Sequence, residues 1–190
     1  MAETKTQGLS LPTPIECKAG QGQALPLQFI SASNHANLTW MTSNWRDNLI
    51  DDSAQIRELL AQTKNIAVLG IKTEAQSSQP AFYVPSYMQN AGFKIIPVPV
   101  YYPDVTEILG ENVYRRLTDI PDDVDMVNVF RRPPDIPPHV ADIIAKKPKS
   151  VWMQLGIYHA EVAQRLAEAG IKVVQDRCLM VDHRRFGQMS

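Results

Sequence analysis

The stretch IAVLGIKTEAQSSQPAFYVPSYMQNAGFKIIPVPV, residues 66–100, places a short apolar run at each end of a helical segment. The first run, IAVLG, ends in Gly70, and the second, KIIPVPV, follows Gly92. Neither run alternates between apolar and polar residues, which is typical of strands covered on both faces. Residues 81–90 between them suit a helix closed by Gly92. The stretch therefore predicts a strand, a helix and a second strand parallel to the first.

Three further apolar runs continue this pattern: DMVNVF at 125–130, SVWMQLG at 150–156 and KVVQD at 172–176. Helical segments precede or separate them at 51–64, 139–146 and 158–169. Together they predict an α/β, Rossmann-like, doubly wound and mainly parallel five-stranded sheet with helices on both faces. Ligands of such sheets bind at the carboxyl ends of the strands, so the residues after each run are the candidate site.

The chain divides by composition at about residue 50. Residues 1–50 are rich in Ser, Thr, Gln, Asn, Pro and Gly and show little periodicity. We expect an N-terminal extension that is partly disordered or packed as an arm through ALPLQFI at 24–30 and NLTWM at 37–41. Residues 51–190 form the predicted Rossmann-like domain.

Composition and charge disfavour some classes of binding partner. The 190 residues include 44% hydrophobic and 21% charged residues, with a net charge of −1. No apolar stretch is long enough to span a bilayer, and no global positive field favours nucleic acid. Two cysteines, Cys17 and Cys178, are too few for a disulfide framework, so we expect a reducing, cytoplasmic compartment. The N-terminal extension leaves organelle targeting open.

Basic and hydroxyl side chains follow two of the predicted strands. Lys72, Thr73 and Ser78 lie between Gly70 and the next helix, where they can donate to phosphate oxygens near a helix N-terminus. Arg131 and Arg132 end the third run, where guanidinium groups can grip phosphate. In the alternative interpretation, Lys72 is a solvated loop residue, and the arginines lock the strand end by pairing with nearby carboxylates: Asp135, Asp125 or Asp176.

Two familiar nucleotide sites are disfavoured. The loop after Gly70 has no G-x-G-x-x-G, and the second strand ends in PVPVYYP without the acidic residue that binds a ribose hydroxyl. A nicotinamide or flavin dehydrogenase is therefore a weaker hypothesis. The P-loop signature is missing as well, so kinase or ATPase chemistry has no anchor in this sequence.

Several dispersed motifs resemble one family. They are the glycine turn after the first strand, GENVYRRLTDIP at 110–121, VNVFRR at 127–132, VWMQLG at 151–156, and DRC at 176–178 followed by His183. In this order they are similar to the small stand-alone CoA-binding domain proteins, which are related to the CoA-binding domain of the succinyl-CoA synthetase alpha subunit. The resemblance runs from residue 66 to about 183.

This resemblance implies a Rossmann-like fold that holds coenzyme A (CoA) by its adenosine diphosphate portion across the strand ends. It implies that the pyrophosphate contacts Gly70, Ile71 and Lys72, and that the adenosine contacts Pro97 and Val98. It further implies that the opposite wall is formed by Phe130, Arg131 and Arg132, and the rim at the fourth strand by Trp152 and Gln154.

The sequence leaves three functional hypotheses. The first is a protein that binds CoA, acyl-CoA or a related adenine nucleotide and senses or presents it without chemistry of its own. The second is a CoA- or NAD(P)-dependent enzyme that uses Cys178 or a histidine. The third is a ligand-free module that binds a protein partner. His139, His159 and His183 lack metal-ligand spacing, so no metal site is expected.

Cys178 supports two interpretations. It follows the fifth run beside Arg177, and a neighbouring cation favours the reactive thiolate, so a mixed disulfide with the CoA thiol is one possibility. The other is a small packing residue, because free cysteines are often buried.

Overall fold

A parallel five-stranded sheet forms the centre of the part that the computed structural model describes, residues 44–186. The strands, with a separate small hairpin formed by β3 and β4, are β1 (Asn65–Leu69), β2 (Lys94–Val98), β3 (Glu107–Ile108), β4 (Glu111–Asn112), β5 (Met126–Val129), β6 (Ser150–Met153) and β7 (Lys172–Val174). The sheet order is β2-β1-β5-β6-β7, and every neighbouring pair is parallel. The predicted sheet is confirmed. Its order reverses direction between β1 and β5, which makes that gap the topological switch point.

Helices cover both faces of the sheet. They are α1 (Ser53–Gln62), α2 (Pro80–Asn90), α3 (Val140–Lys146), α4 (Ala160–Glu168) and α5 (Leu179–Phe186). Ala67 and Leu69 of β1 pack in one core with α3 and α4, whereas Ile66 and Val68 pack in a second core with α1, α2 and α5. Two apolar faces explain why the strand sequences do not alternate. Within the described part of the chain, no helix combines the length and the apolar character that crossing a membrane requires.

Local sequence signals set the helix ends. The Asp52 carboxylate accepts the backbone N–H groups of Ala54 and Gln55 at 2.8 and 3.1 Å and so caps α1. Proline is tolerated in the first helical turn, and Pro80 begins α2. Gly92, with φ of +96°, follows the end of α2 and turns the chain toward β2.

Two elements of the structure were not among the predicted ones. The β3–β4 hairpin has only two residues in each strand, too few for a periodic signal, and it lies in the Tyr- and Pro-rich connection after β2. Helix α5 buries Leu179, Asp182 and Phe186, so an acidic residue interrupts its apolar pattern. Arg177 donates to the Asp182 carboxylate twice, at 2.8 and 2.7 Å, and this pairing compensates the buried charge.

The predicted N-terminal extension falls mostly on residues 1–43. These residues lie outside the described part of the chain, as do both apolar segments expected to form an arm and residues 187–190. The last residues of the predicted extension are described. A short 3-10 turn, Trp45–Asn48, leads to Leu49, which bridges to Val173 of β7 in parallel. Ile50 then donates its N–H to the Val173 carbonyl at 2.8 Å, so this segment continues the β7 edge of the sheet.

Candidate functional site

Gly70 follows β1 at the switch point and lies against the segment after β5. Its φ of +89° belongs to the left-handed region that favours glycine. A Cβ at this position would lie 2.5 Å from the Phe130 carbonyl oxygen and 3.0 Å from the Arg131 Cδ. Glycine therefore allows the chain segments after β1 and β5 to approach each other, and this approach forms one side of the candidate site.

A cavity of about 460 Å³ opens at the carboxyl edge of the sheet. This volume falls within the roughly 300–1,000 Å³ typical of small-molecule sites. The first turn of α2 and residues 155–157 after β6 supply much of the wall, and neither segment is among the predicted site residues. Six of the predicted site residues also line it: Lys72, Phe130, Arg131, Arg132, Gln154 and Cys178.

Lys72 is held at this cavity by an interruption in α2. Pro85 lies inside the helix and has no N–H, so the Ala81 carbonyl lacks the usual helical donor four residues later. That carbonyl accepts the Lys72 backbone N–H at 3.1 Å instead. The Lys72 Nζ lies 3.3 Å from the Tyr102 hydroxyl and 5.2 Å from the centroid of the Tyr101 ring.

Arg131 approaches the same aromatic ring. Its Cζ lies 5.3 Å from the Tyr101 centroid, so Lys72 and Arg131 both contact this ring at cation–π distance. A hydrogen bond from Arg131, and then its positive charge, lower the pKa of the Tyr101 hydroxyl. Two of the three cations predicted to bind phosphate are thus brought together around one exposed tyrosine.

The Arg131 guanidinium is only partly satisfied by the protein. Its side chain is 11% exposed, and its buried Nε has no hydrogen-bond partner within the described residues. Its Nη2 lies 3.6 Å from the Asp135 carboxylate, a long ion pair. Arg132 makes the shorter bond, 2.8 Å from its Nε to Asp135, although its side chain is 79% exposed. This bond and the charge of Arg132 lower the pKa of Asp135.

The other two carboxylates proposed to lock the arginines have different partners. Asp125 pairs with Lys149 at 2.7 Å and accepts the backbone N–H groups of Lys64 and Asn65. The Asp176 carboxylate accepts the Gly156 N–H at 2.6 Å. Among the three candidate carboxylates, Asp135 is therefore the one that contacts the arginines.

The N-terminus of α2 faces the cavity. Gln79 is its N-cap residue and makes no side-chain capping bond, and Gln79 and Ala81 line the cavity wall. The two hydroxyl residues predicted here are not part of that wall. Thr73 donates its hydroxyl to the Gln76 side-chain oxygen at 2.7 Å, and Ser78 is exposed just before the helix.

The residues predicted to flank an adenosine lie on the other side of the switch point. Val98 lines a second cavity of about 410 Å³, which Tyr101 also lines. Pro97 is buried within β2, and its carbonyl accepts the Tyr114 N–H at 2.9 Å. The second cavity is thus lined by Val98, whereas Pro97 lies buried within the strand and does not line it.

The predicted rim residues of β6 and the loop residue Ile71 are all buried, and they differ in whether they line the cavity. Trp152 is fully buried, and its indole N–H donates to the Arg177 carbonyl at 2.7 Å. Ile71 is buried in the same core. Gln154 reaches the cavity wall, where its amide N–H donates to the Asn128 side-chain oxygen at 2.8 Å. The structure therefore brings Gln154, and neither Ile71 nor Trp152, to the cavity.

Cys178 is a half-buried free thiol on the cavity wall. The guanidinium of the neighbouring residue, Arg177, donates two hydrogen bonds to the Asp182 carboxylate. Its positive charge is therefore shared with that carboxylate and does not act on the thiol alone. His183 belongs to another cavity, where its Nδ1 lies 3.1 Å from the Tyr87 hydroxyl. Across residues 44–186, no three His, Cys, Asp or Glu side chains converge as a metal site.

Comparisons with known proteins agree with this fold. Uncharacterized protein YneT of Bacillus subtilis (strain 168) is 35% identical over 130 residues, which make up 68% of this chain and 93% of that protein. A solved structure from Thermus thermophilus, named cell-free ID.343, shares 40% identity at a TM-score of 0.66 and covers 72% of this chain and 99% of its own. A hypothetical protein from Pyrococcus horikoshii OT3 shares 32% identity at a TM-score of 0.65, covering 72% and 92% respectively. Residues 64–184, well over half of the chain, match the family described as CoA binding domain, and the chain therefore belongs to that family.

Proposed function

We propose that this protein binds CoA, with the pyrophosphate at the switch point between β1 and β5. One observation carries the proposal: Arg131 is almost buried in the cavity wall beside Lys72, and its Nε has no partner within the described residues. A guanidinium and an ammonium group suit phosphate oxygens, and an N–H donor without an acceptor suits an anionic ligand. The N-terminus of α2, which has no side-chain cap, adds the Ala81 N–H and a favourable dipole.

The residues on either side of this point fit the remainder of CoA. The adenosine would lie toward β2, against Val98 and Tyr101 in the second cavity. The pantetheine arm would run through the first cavity, past Phe130 and Gln154. Bound CoA would supply a thiol that carries acyl groups, and the protein would supply its position and its surroundings.

We further propose that the protein senses or presents CoA and does not transform it. The described residues that line the first cavity include one cysteine and no histidine or carboxylate, so they lack the commonest general acid–base groups. The competing hypothesis is a CoA- or NAD(P)-dependent enzyme. Incubation of the purified protein with CoA, acetyl-CoA and NADH separates the two, because turnover of any of them would exclude a purely binding role.

Cys178 gives the binding site a possible redox sensitivity. Its thiolate, at the cavity wall, can attack CoA disulfide, form a Cys178–CoA mixed disulfide and release one CoA thiolate, so that no other oxidant is needed. After incubation with CoA disulfide, mass spectrometry is expected to show one CoA adduct, which Cys178→Ser abolishes and a reductant reverses. An adduct that persists in Cys178→Ser would assign the reaction to another thiol.

Calorimetry with CoA tests the proposed function. We expect wild type to bind, and Arg131→Gln to weaken binding roughly tenfold to a hundredfold, the range for a lost charge-assisted hydrogen bond. Arg165→Gln is the matched control, since Arg165 lies on α4 and outside the cavity. Equal affinities in wild type and Arg131→Gln, with both proteins folded, would place the phosphates elsewhere. No binding to wild type would reject the proposal.

A further inference from the structure

The first cavity is divided between a charged end and an apolar end. Its lining cations, Lys72, Arg131 and Arg132, all follow β1 or β5. The lining residues that follow β6 and β7 carry no charge, and neither does the first turn of α2. The apolar end is formed mainly by Tyr83, Val84, Leu155, Ile157 and Cys178.

The sheet order gives this division a direction. From the proposed pyrophosphate position after β1, the edge of the sheet continues through β5 and β6 to β7. The Arg177 N–H donates to the Met153 carbonyl at 3.4 Å and the Leu179 N–H to the Gln154 side-chain oxygen at 3.3 Å, so Cys178 between them lies beside the end of β6. Neighbouring strands are spaced about 4.8 Å apart, which puts the end of β6 two spacings, roughly 10 Å, from the loop after β1. A linear ligand that places its adenosine over β2 and its pyrophosphate over β1 directs its thiol end into the apolar end.

The apolar end is not closed by its own side chains. Leu155 is 70% exposed and Tyr83 is 41% exposed, and both line the cavity. The polar residue there, Gln154, is already occupied, because its amide donates to Asn128 and its oxygen accepts the Leu179 N–H at 3.3 Å. Exposed apolar side chains at the mouth of a binding cavity gain free energy when an apolar group covers them.

We infer that the ligand this site prefers is a CoA thioester with an aliphatic acyl chain, held against Tyr83, Leu155 and Ile157, rather than free CoA. The inference rests on the proposed CoA-binding function and adds to it the class of acyl group. A carboxylate at the end of the acyl chain would be disfavoured, since the cations lie at the opposite end of the cavity.

Calorimetry with CoA, acetyl-, butanoyl- and hexanoyl-CoA tests the inference. Affinity is expected to rise along this series by up to about threefold to fourfold for each buried methylene. Succinyl-CoA is expected to bind more weakly than butanoyl-CoA. If CoA binds as tightly as every thioester, the inference fails and the proposed function stands. If neither CoA nor any thioester binds, the proposed function fails.

A substitution at the mouth locates the acyl chain. Leu155→Asn is expected to reduce the preference for hexanoyl-CoA over free CoA, measured as the ratio of the two affinities, by about threefold or more. Val181→Asn is the control, because Val181 is 54% exposed on α5 but does not line the cavity. An unchanged preference in Leu155→Asn would remove this residue, and the mouth it forms, from the acyl site.

Discussion

At the scale of single residues, the site depends on two cations that meet at one tyrosine. Lys72 comes from the loop after β1 and Arg131 from the segment after β5, yet both lie within about 5.3 Å of the Tyr101 centroid. The Tyr102 hydroxyl accepts a hydrogen bond from the Lys72 Nζ. The backbone φ of Tyr102 is +68°, a conformation that is energetically unfavourable for a residue other than glycine. The arrangement holds two positive charges close together around an aromatic ring.

The titration of Tyr101 reports this arrangement directly. Because Arg131 lowers the pKa of Tyr101 by its hydrogen bond and its charge, Arg131→Gln is expected to raise that pKa toward its ordinary value of 10.0. NMR of ring-labelled tyrosines in the alkaline range measures it, with Tyr101→Phe to assign the signal. Arg165→Gln should leave the titration unchanged. The same pKa in wild type and Arg131→Gln would contradict the contact.

Gly70 supplies the second test at this scale. In Gly70→Ala the new Cβ meets the Phe130 carbonyl in addition to the strained φ, whereas in Gly92→Ala it meets no atom within 4 Å. Both variants lose roughly 1–2 kcal/mol from the left-handed backbone, and Gly70→Ala loses more. Urea unfolding measures the difference. Equal losses in the two variants would mean that the close approach of the segments after β1 and β5 has no energetic weight.

At the scale of elements, α5 joins α2 through a half-buried histidine. His183 contacts Tyr87 by a hydrogen bond and both Tyr87 and Phe93 edge to face, and burial lowers the pKa of His183. The unfolded chain therefore takes up this proton first as the pH falls below about 6.5. The contact is complete above that pH, and its contribution to the free energy of unfolding is lost as the pH falls toward the lowered pKa.

His183→Gln tests this linkage, since glutamine can still bond to Tyr87 but does not titrate. The free energy of unfolding of wild type is expected to fall more steeply between pH 6.5 and the lowered pKa than that of His183→Gln. Urea unfolding at a series of pH values measures both curves. His139, whose pKa burial and Arg131 also lower, remains in both proteins and cancels in the comparison. Parallel curves would contradict a lowered pKa of His183.

The elements that could be predicted are those with a repeated apolar signal. Apart from Asn65 at the start of β1, every strand of the main sheet falls within a predicted run, because burial on both faces leaves a continuous apolar stretch. The β3–β4 hairpin and α5 were not predicted, because two-residue strands show no apolar period and the buried Asp182 interrupts the apolar period of the helix. Pro85 signals a helix break in the sequence. Its effect on Lys72, through the freed Ala81 carbonyl, depends on packing that no local pattern records.

At the scale of the whole molecule, sheet order decides where the candidate site lies. The order β2-β1-β5-β6-β7 places the glycine turn after β1 next to the arginines after β5. The sequence predicts both segments as anion-binding, because each follows a strand, and the structure brings Lys72, Arg131 and Arg132 to one cavity. The sequence could not predict that α2 and residues 155–157 form the cavity wall, nor that Trp152 is buried. Both features depend on how far each strand extends.

The location of CoA on the folded chain tests the central claim most directly. Chemical-shift mapping of the ¹⁵N-labelled protein during a CoA titration reports each backbone amide separately. We expect the largest changes at Gly70, Lys72, Ala81 and Arg131, around the switch point. Changes confined to the opposite edge of the sheet, at Lys64, Gly92 and Phe93, would show that CoA binds elsewhere and would contradict the account.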